Sequence, residues 1–159
     1  MSAAGFASAL SAWAGAVTLL TIAEGRDDIG TTVSSFCPVS ATPPTILVSL
    51  LASGYPAEVL GRADRFAITL LSTAQRALAG RFAAAGRPGA RLLLGNVPHE
   101  RGAVSGALIP AGGLAAFECE ATTRIPAADH VLFVAHVLAV SYIAEAGDPL
   151  IRFRGGYLR

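Results

Sequence analysis

Few side chains in this sequence are able to do chemistry, and most are badly spaced for the commonest reactions. The histidines are His99, His130 and His136. His130 and His136 fall on one face of a regular strand, but six residues at strand rise set them about 20 Å apart, too far to share a metal ion. No run of His, Cys or acidic residues has zinc-ligand spacing. Ser34-Ser35 is not in a nucleophile elbow, and the nearest acid–histidine pair is the adjacent Asp129-His130, so a hydrolase triad has no support. Gly112-Gly113 and Gly155-Gly156 match neither a phosphate loop nor a dinucleotide fingerprint. One segment stands apart: Gly30-Thr31-Thr32-Val33-Ser34-Ser35-Phe36-Cys37-Pro38-Val39-Ser40, then Pro43-Pro44 and Ile46–Leu50. Its hydroxyls and the free main-chain N–H groups of a tight turn suit the edge of a polar, planar ligand. The same residues equally describe a Thr/Ser-rich edge strand of good β propensity.

The elements that must carry this segment are mostly strands. Phe6, Leu10 and Trp13 at helical spacing predict a short amphipathic helix over Ala3–Trp13. Strands follow at Ala16–Ile22 and Ile29–Phe36, joined by the polar hairpin connection Glu24–Asp28. Pro43-Pro44 interrupts the ladder before a strand at Thr45–Leu51. After a turn at Gly54-Tyr55-Pro56, Ala57–Arg62 suits a short helix and Phe66–Leu71 a strand. Ser72 then caps a helix over Thr73–Ala85, whose Ala74, Leu78 and Phe82 share one face. Gly86–Gly89 reads as a loop. In Leu114–Thr123, Phe117, Cys119 and Ala121 alternate with Glu118, Glu120 and Thr122, which predicts a half-exposed strand with both glutamates in solvent and Cys119 in the core. His130–Ile143 reads as a long strand whose apolar stretch Val131–Val140 suits burial on both faces, and Leu150–Phe153 with Tyr157-Leu158 ends the series. Many strands and few helices, without regular alternation, point to a mainly β, closed or partly closed antiparallel barrel in a single domain over residues 1–159.

Composition limits the partners. The 159 residues are 53% hydrophobic and 14% charged, with all twelve basic residues arginine and a net charge of +1, and the mean hydropathy is +0.55. This excludes a disordered chain and gives no electrostatic footprint for nucleic acid. No apolar run reaches the roughly 18 residues of a spanning helix. Ser2 to Ala23 lacks a basic n-region, since the first arginine is Arg26 after Glu24, so no secretory signal and no membrane attachment are expected. Two cysteines, Cys37 and Cys119, form no disulfide framework. The expectation is a cytoplasmic protein whose apolar excess asks for cover in a homo-oligomer.

The segment from Gly30 also resembles the GxTxSSFxSVSxxPPLVxxSL signature of the flavin reductase-like family, the FMN-binding split barrel of short-chain NAD(P)H:flavin oxidoreductases. Four further blocks resemble that family in order. They are Ala14–Thr18 (TGVTVVT), Phe66–Leu71 with Gln75, Leu78, Ala79, Arg81, Phe82 and Ala83 (FxVNVLxxxQxxLAxxFA), Asp129-His130 with Phe133 and Val137 (GDHxIFxGxV), and Pro149-Leu150 with Phe153–Tyr157 (PLxYxxGxY). The resemblance implies an antiparallel Greek-key split β-barrel with a few flanking helices. It implies a reductase of FMN or FAD at the expense of NADH or NADPH, a homodimer, and a flavin-dependent monooxygenase that receives the reduced flavin.

Residue by residue, the resemblance places Thr32, Val33, Ser34, Ser35, Phe36, Cys37, Val39 and Ser40 around the isoalloxazine edge. Ser49 and Leu50, with Ser53 and Tyr55, fall near the ribityl chain and phosphate. Arg81 becomes a phosphate or dimer contact beside Phe82, and His130, Arg154 and Tyr157 fall on the nicotinamide side. No catalytic side chain and no metal is implied, because hydride transfer between stacked rings is the cofactors' own chemistry. The chain departs from the pattern in several places. Ala128 and Ala135 replace glycines, and Pro38 falls where the family's flavin-edge turn needs an N–H. The loop Ser53–Ala57 lacks the Ser-x-Thr phosphate ligands. These departures suit a loosely held, diffusing flavin, or a non-catalytic flavin-binding barrel. An FMN-dependent oxidoreductase acting on its own substrate is a further alternative.

Overall fold

The computed structural model describes residues 2–158. Its strands are β1 (Gly15–Ala16), β2 (Thr18–Ile22), β3 (Ile29–Val33), β4 (Phe36–Ala41), β5 (Pro44–Leu51), β6 (Arg65–Leu70), β7 (His99–Arg101), β8 (Leu108–Pro110), β9 (Ala115–Ala127), β10 (His130–Ile143), β11 (Ile151–Phe153) and β12 (Gly156–Tyr157). The helices are α1 (Ala3–Leu10), α2 (Tyr55–Ala63), α3 (Arg76–Ala83) and α4 (Ala90–Leu93). A seven-stranded antiparallel sheet runs in the order β3-β2-β6-β9-β10-β5-β4, with smaller sheets β1-β11-β12 and β7-β8.

The order of the large sheet has a geometric consequence. β3 and β4 lie at its two ends, yet only Ser34 and Ser35 separate them in the chain. Val33 and Phe36 are therefore at most about 11 Å apart, and the sheet has to roll until its edges meet there. Hydrogen bonds complete the meeting: Ser49 N–H donates to the Ser35 carbonyl at 3.1 Å, and the Ser35 hydroxyl donates to the Ser49 carbonyl at 2.7 Å. The inside of the roll holds one apolar cluster, with Leu20, Ile22, Val33, Val48, Leu50, Phe66, Ile68, Cys119 and Phe133, plugged by Ala57, Val59 and Leu60 of α2. A second cluster lies outside β2, where Val17 and Leu19 meet Leu78, Ala79 and Phe82 of α3 and Ala90 and Leu94 around α4. β2 is consequently buried on both faces.

Most expected elements form, with instructive differences. The Ala3–Trp13 helix stops at Leu10, and the helix expected over Thr73–Ala85 begins as a 3-10 turn, Thr73–Gln75, before α3. The Ser72 hydroxyl donates to the Gly112 carbonyl, while the Ser72 N–H donates to Gln75 Oε1. β10 is not buried on both faces: Phe133 and Ala135 point inward, but His136, Leu138 and Val140 are exposed. Pro38 lies within β4, an edge strand where a missing N–H is tolerated, and not in the turn between β3 and β4. The β7–β8 hairpin and α4 carry no clear sequence signal. All three residues of β7 are exposed, and β8 ends on Pro110.

Glu118 corrects the alternation argument. It is 4% exposed, not solvated. The turn after β7 folds over this face, and a single oxygen, Oε2, accepts from Val104 N–H (2.9 Å), Ser105 N–H (2.6 Å) and the Ser105 hydroxyl (2.7 Å). Burial opposes its ionisation, but these bonds and one from Ser141 prevail and hold its pKa below the ordinary value. Glu120 does face outward, paired with Arg65 at 3.0 Å. Cys119 is fully buried, as expected, and burial followed by the Glu118 charge pushes its pKa up to about 12.

Candidate functional site

The seam where the sheet edges meet opens into a cavity of about 870 Å³. One wall is β3 and the turn after it, from Ile29 to Ser35. Opposite stand Ser49, Leu50 and Leu51 of β5 and the start of α2 at Gly54–Ala57, and the rim is the Glu24–Asp27 turn with the Gly86–Gly89 loop. Val33 and Leu50 are buried and apolar, so the surroundings combine an apolar floor with hydroxyls and main-chain groups. The buried Thr18 hydroxyl donates to the Val33 carbonyl at 2.7 Å and fixes the end of β3. α2 begins on this wall with Gly54 at its N-cap and no side-chain cap; Pro56 carries no N–H, and the Ala57 and Glu58 N–H groups donate to the Gly54 carbonyl at 3.0 and 3.3 Å.

The rim is fastened from behind by Asp28, which is 1% exposed and has φ of +54°. Its carboxylate accepts from Arg101 at 2.9 and 3.2 Å and from the Glu24 N–H at 3.3 Å, with Arg91 at 3.5 Å. Burial works against its ionisation, but the Arg101 hydrogen bond, the Glu24 amide and the charges of Arg101 and Arg91 hold its pKa below the ordinary value. Ala90 N–H donates to the Asp28 carbonyl (3.1 Å) and Arg91 N–H to the Asp27 carbonyl (3.0 Å), so the 86–89 loop is tied to the 24–27 turn. Gly89 is needed at this junction, because a Cβ there would stand 2.5 Å from the Asp27 carbonyl oxygen.

Among the residues anticipated from sequence, the cavity brings together Thr32, Val33, Ser34, Ser35, Ser49, Leu50 and Tyr55. The others lie elsewhere. Phe36 packs on the inner cluster; Cys37, Val39 and Ser40 are exposed along β4, and Ser53 is exposed in the loop before α2. Phe82 is fully buried beneath β3, supporting Gly30 instead of lining the cavity. Arg81 donates to the Leu93 carbonyl at 3.3 Å, outside the cavity lining. His130 opens β10, its Nδ1 2.7 Å from Asp129 Oδ1. Arg154 sits in the β11–β12 turn with its guanidinium 5.1 Å from the Phe153 ring centre. Tyr157 lines a smaller cleft with Val17, Thr32, Ser34 and Arg152, which shares Thr32 and Ser34 with the cavity lining. Trp13, 75% exposed, stands beside Ser34: a Cβ on Gly15 would be 3.6 Å from its indole Nε1 and 3.7 Å from the Ser34 carbonyl.

Sequence reasoning missed Arg87. Its Nε donates to the Gly30 carbonyl at 3.0 Å and Nη1 to the Ala84 carbonyl at 3.2 Å, and it lines the cavity. No carboxylate pairs with it among the described residues, and burial lowers its pKa. The available signal was the placement of an arginine between the two glycines of a loop.

Comparison with known proteins decides the relationship. The family model described as "Flavin reductase like domain" matches residues 10–159. The chain belongs to the flavin reductase-like family. It is 35% identical over 144 residues to a NADH-dependent FMN reductase of Streptomyces nodosus subsp. asukaensis, covering 89% of this chain and 76% of that one. It is 32% identical to the reductase component of a 4-hydroxyphenylacetate 3-monooxygenase of Thermus thermophilus, covering 97% and 94%. The solved structure of a bacterial flavin reductase component of a two-component tryptophan halogenase superposes with a TM-score of 0.90 at 28% identity, covering 99% and 97%. The mainly β antiparallel fold is that of the family.

The cavity fits a flavin on its own chemistry. Apolar Val33 and Leu50 suit a ring face, the Thr32–Ser35 segment offers hydroxyls and main-chain polar groups to its edge, and Arg87 stands on the lining at the Gly86–Gly89 loop.

Proposed function

We propose that this chain is an NAD(P)H:flavin oxidoreductase that reduces FMN or FAD and hands the reduced flavin to a partner monooxygenase. The observation that carries the reading is the seam cavity, which collects the hydroxyl-rich β3–β4 junction, Ser49 and Leu50 around a space of about 870 Å³. A bound flavin supplies the hydride-accepting ring atom, and the nicotinamide supplies the hydride. The protein's task is to bind and orient. Thr32–Ser35 hold the ring edge through hydroxyls and main-chain groups, and Val33 and Leu50 exclude water from one face. Thr18 and the Ser35–Ser49 bonds keep this wall rigid. Orientation at reacting distance is the principal catalytic contribution available without a reacting side chain.

The nicotinamide approaches from the side of Tyr157 and the cleft it shares with Thr32 and Ser34; His130 and Arg154 line neither this cleft nor the cavity. The open site and the absence of Ser-x-Thr in the loop Ser53–Ala57 suit a flavin that comes and goes as a substrate. The chain acts as a homodimer: Leu138, Val140 and Ile143 on β10, and Phe6, Leu10 and Trp13 in or just after α1, form apolar surface that a second copy would cover. The test is nicotinamide oxidation by purified protein with FAD, FMN and riboflavin in turn. Turnover with at least one flavin is expected, and no oxidation of either nicotinamide with any flavin would overturn the reading. Light scattering after size exclusion tests the dimer, against which a monomer at micromolar concentration would count.

A further inference from the structure

Resting on the flavin reading, we propose that Arg87 is the residue by which this chain recognises the flavin phosphate, distinguishing flavin nucleotides from riboflavin. The loop Ser53–Ala57 offers no Ser-x-Thr pair for this role, and Arg81 lies outside the cavity lining. Four charged groups do line the cavity: Glu24, Arg26, Asp27 and Arg87. Glu24 is paired with Arg62, and Arg26 and Asp27 oppose one another in sign on the exposed rim. Neither lining arginine has an ion-pair partner among the described residues, but Arg26 is exposed on the turn, whereas Arg87 is half-buried and its guanidinium is held by hydrogen bonds.

Its setting differs from that of a surface arginine. The side chain is half-buried, and two carbonyls, Gly30 and Ala84, fix the guanidinium through Nε and Nη1. Both anchors are themselves constrained. Gly30 is seated against Phe82, and Ala84 ends α3 with its N–H on the Arg81 carbonyl. Neutral carbonyls orient a cation without discharging it. A half-buried guanidinium on a cavity wall, pre-aimed and lacking a carboxylate, has unmet demand for an anion. A phosphate supplies the charge and oxygen geometry that arginine binds best. The bonds from Ala90 N–H to the Asp28 carbonyl and from Arg91 N–H to the Asp27 carbonyl hold the end of the loop that carries it, so the cation needs little reordering when the ligand arrives.

The test is equilibrium binding of FMN and of riboflavin, followed by quenching of flavin fluorescence without nicotinamide, for the parent, Arg87→Gln and Arg81→Gln. Arg87→Gln is expected to weaken FMN about tenfold or more, in line with loss of a charge-assisted contact, while riboflavin changes less than about twofold. Arg81→Gln is expected to leave the FMN-to-riboflavin ratio unaltered. The ratio is the deciding quantity because a loop that merely collapses would weaken both ligands equally. An unchanged ratio in Arg87→Gln, or a changed one in Arg81→Gln alone, overturns the assignment while leaving the flavin reading intact. A parent protein that binds neither flavin overturns both.

Discussion

Gly30 forms part of the cavity wall, and replacing it with alanine is a sharp probe of how that wall is supported. A Cβ at this position would stand 2.3 Å from Cε1 and 2.8 Å from Cδ1 of Phe82, with the Ala90 Cβ at 3.4 Å. Carbon atoms in contact prefer about 3.5–4.0 Å, so strand or ring must move by roughly 1 Å. Phe82 has no free volume to enter, since it is fully buried among Leu78, Ala79 and Ala90. Overpacking of this kind costs about 1–3 kcal/mol, and the reduced freedom of the unfolded chain returns about 0.4–1 kcal/mol of it. A net loss of about 1–2 kcal/mol is expected in urea unfolding, or about 2–8 °C in Tm for a domain of this size. Phe82→Leu alone should cost about 1–2 kcal/mol through lost packing. In the double variant the smaller side chain makes room for the methyl, so the combined loss should fall short of the sum by more than about 0.5 kcal/mol. Strict additivity, or a Gly30→Ala variant as stable as the parent, would refute the claim that Phe82 is the floor on which this wall rests.

Other consequences are open to simpler measurements. Asp28 and Glu118 both have pKa values below the ordinary 3.8 and 4.5, so the stability they contribute is present above those ordinary values and lost as pH falls through the folded ones. Urea unfolding against pH should show a steep acid limb in the parent and a shallower one in Asp28→Asn and Glu118→Gln. Ala128 begins the β9–β10 turn at φ of +52°, a conformation that disfavours a Cβ by about 1 kcal/mol. Ala128→Gly should therefore raise thermal stability slightly, and a lowered Tm would show that the alanine methyl is otherwise used. A thiol reagent on folded protein at pH 8 should label Cys37 rapidly and spare Cys119, which is buried with its pKa near 12. Labelling of both at equal rates would contradict the packed core.

Much of the fold was legible because its signals are local. The apolar stretch from His130 to Ile143 marked β10 at both ends, and the hydroxyl-rich run Thr31–Ser35 marked the wall of the cavity. The errors come from partners far away in sequence. Glu118 looks solvent-facing by alternation, and only the turn at Val104–Ser105 makes its burial favourable. Arg81 lies on a recognisable helix while Arg87 lies in a plain loop. The difference in their surroundings arises from contacts with Gly30, 57 residues away from Arg87. Cys37, Val39 and Ser40 belong to the same sequence block as Ser34 and Ser35, but β4 leaves along the sheet edge and carries them away from the seam.

Trp13 gives the seam an optical reporter of its own. It is the chain's single tryptophan, and it stands in solvent beside the Ser34 carbonyl. Indole emits in the range where oxidised flavins absorb, so occupancy of the adjoining cavity should extinguish that emission by resonance energy transfer. Arrival and departure of unlabelled ligand can then be timed in a stopped-flow instrument, with a Trp13→Phe variant supplying the dark control.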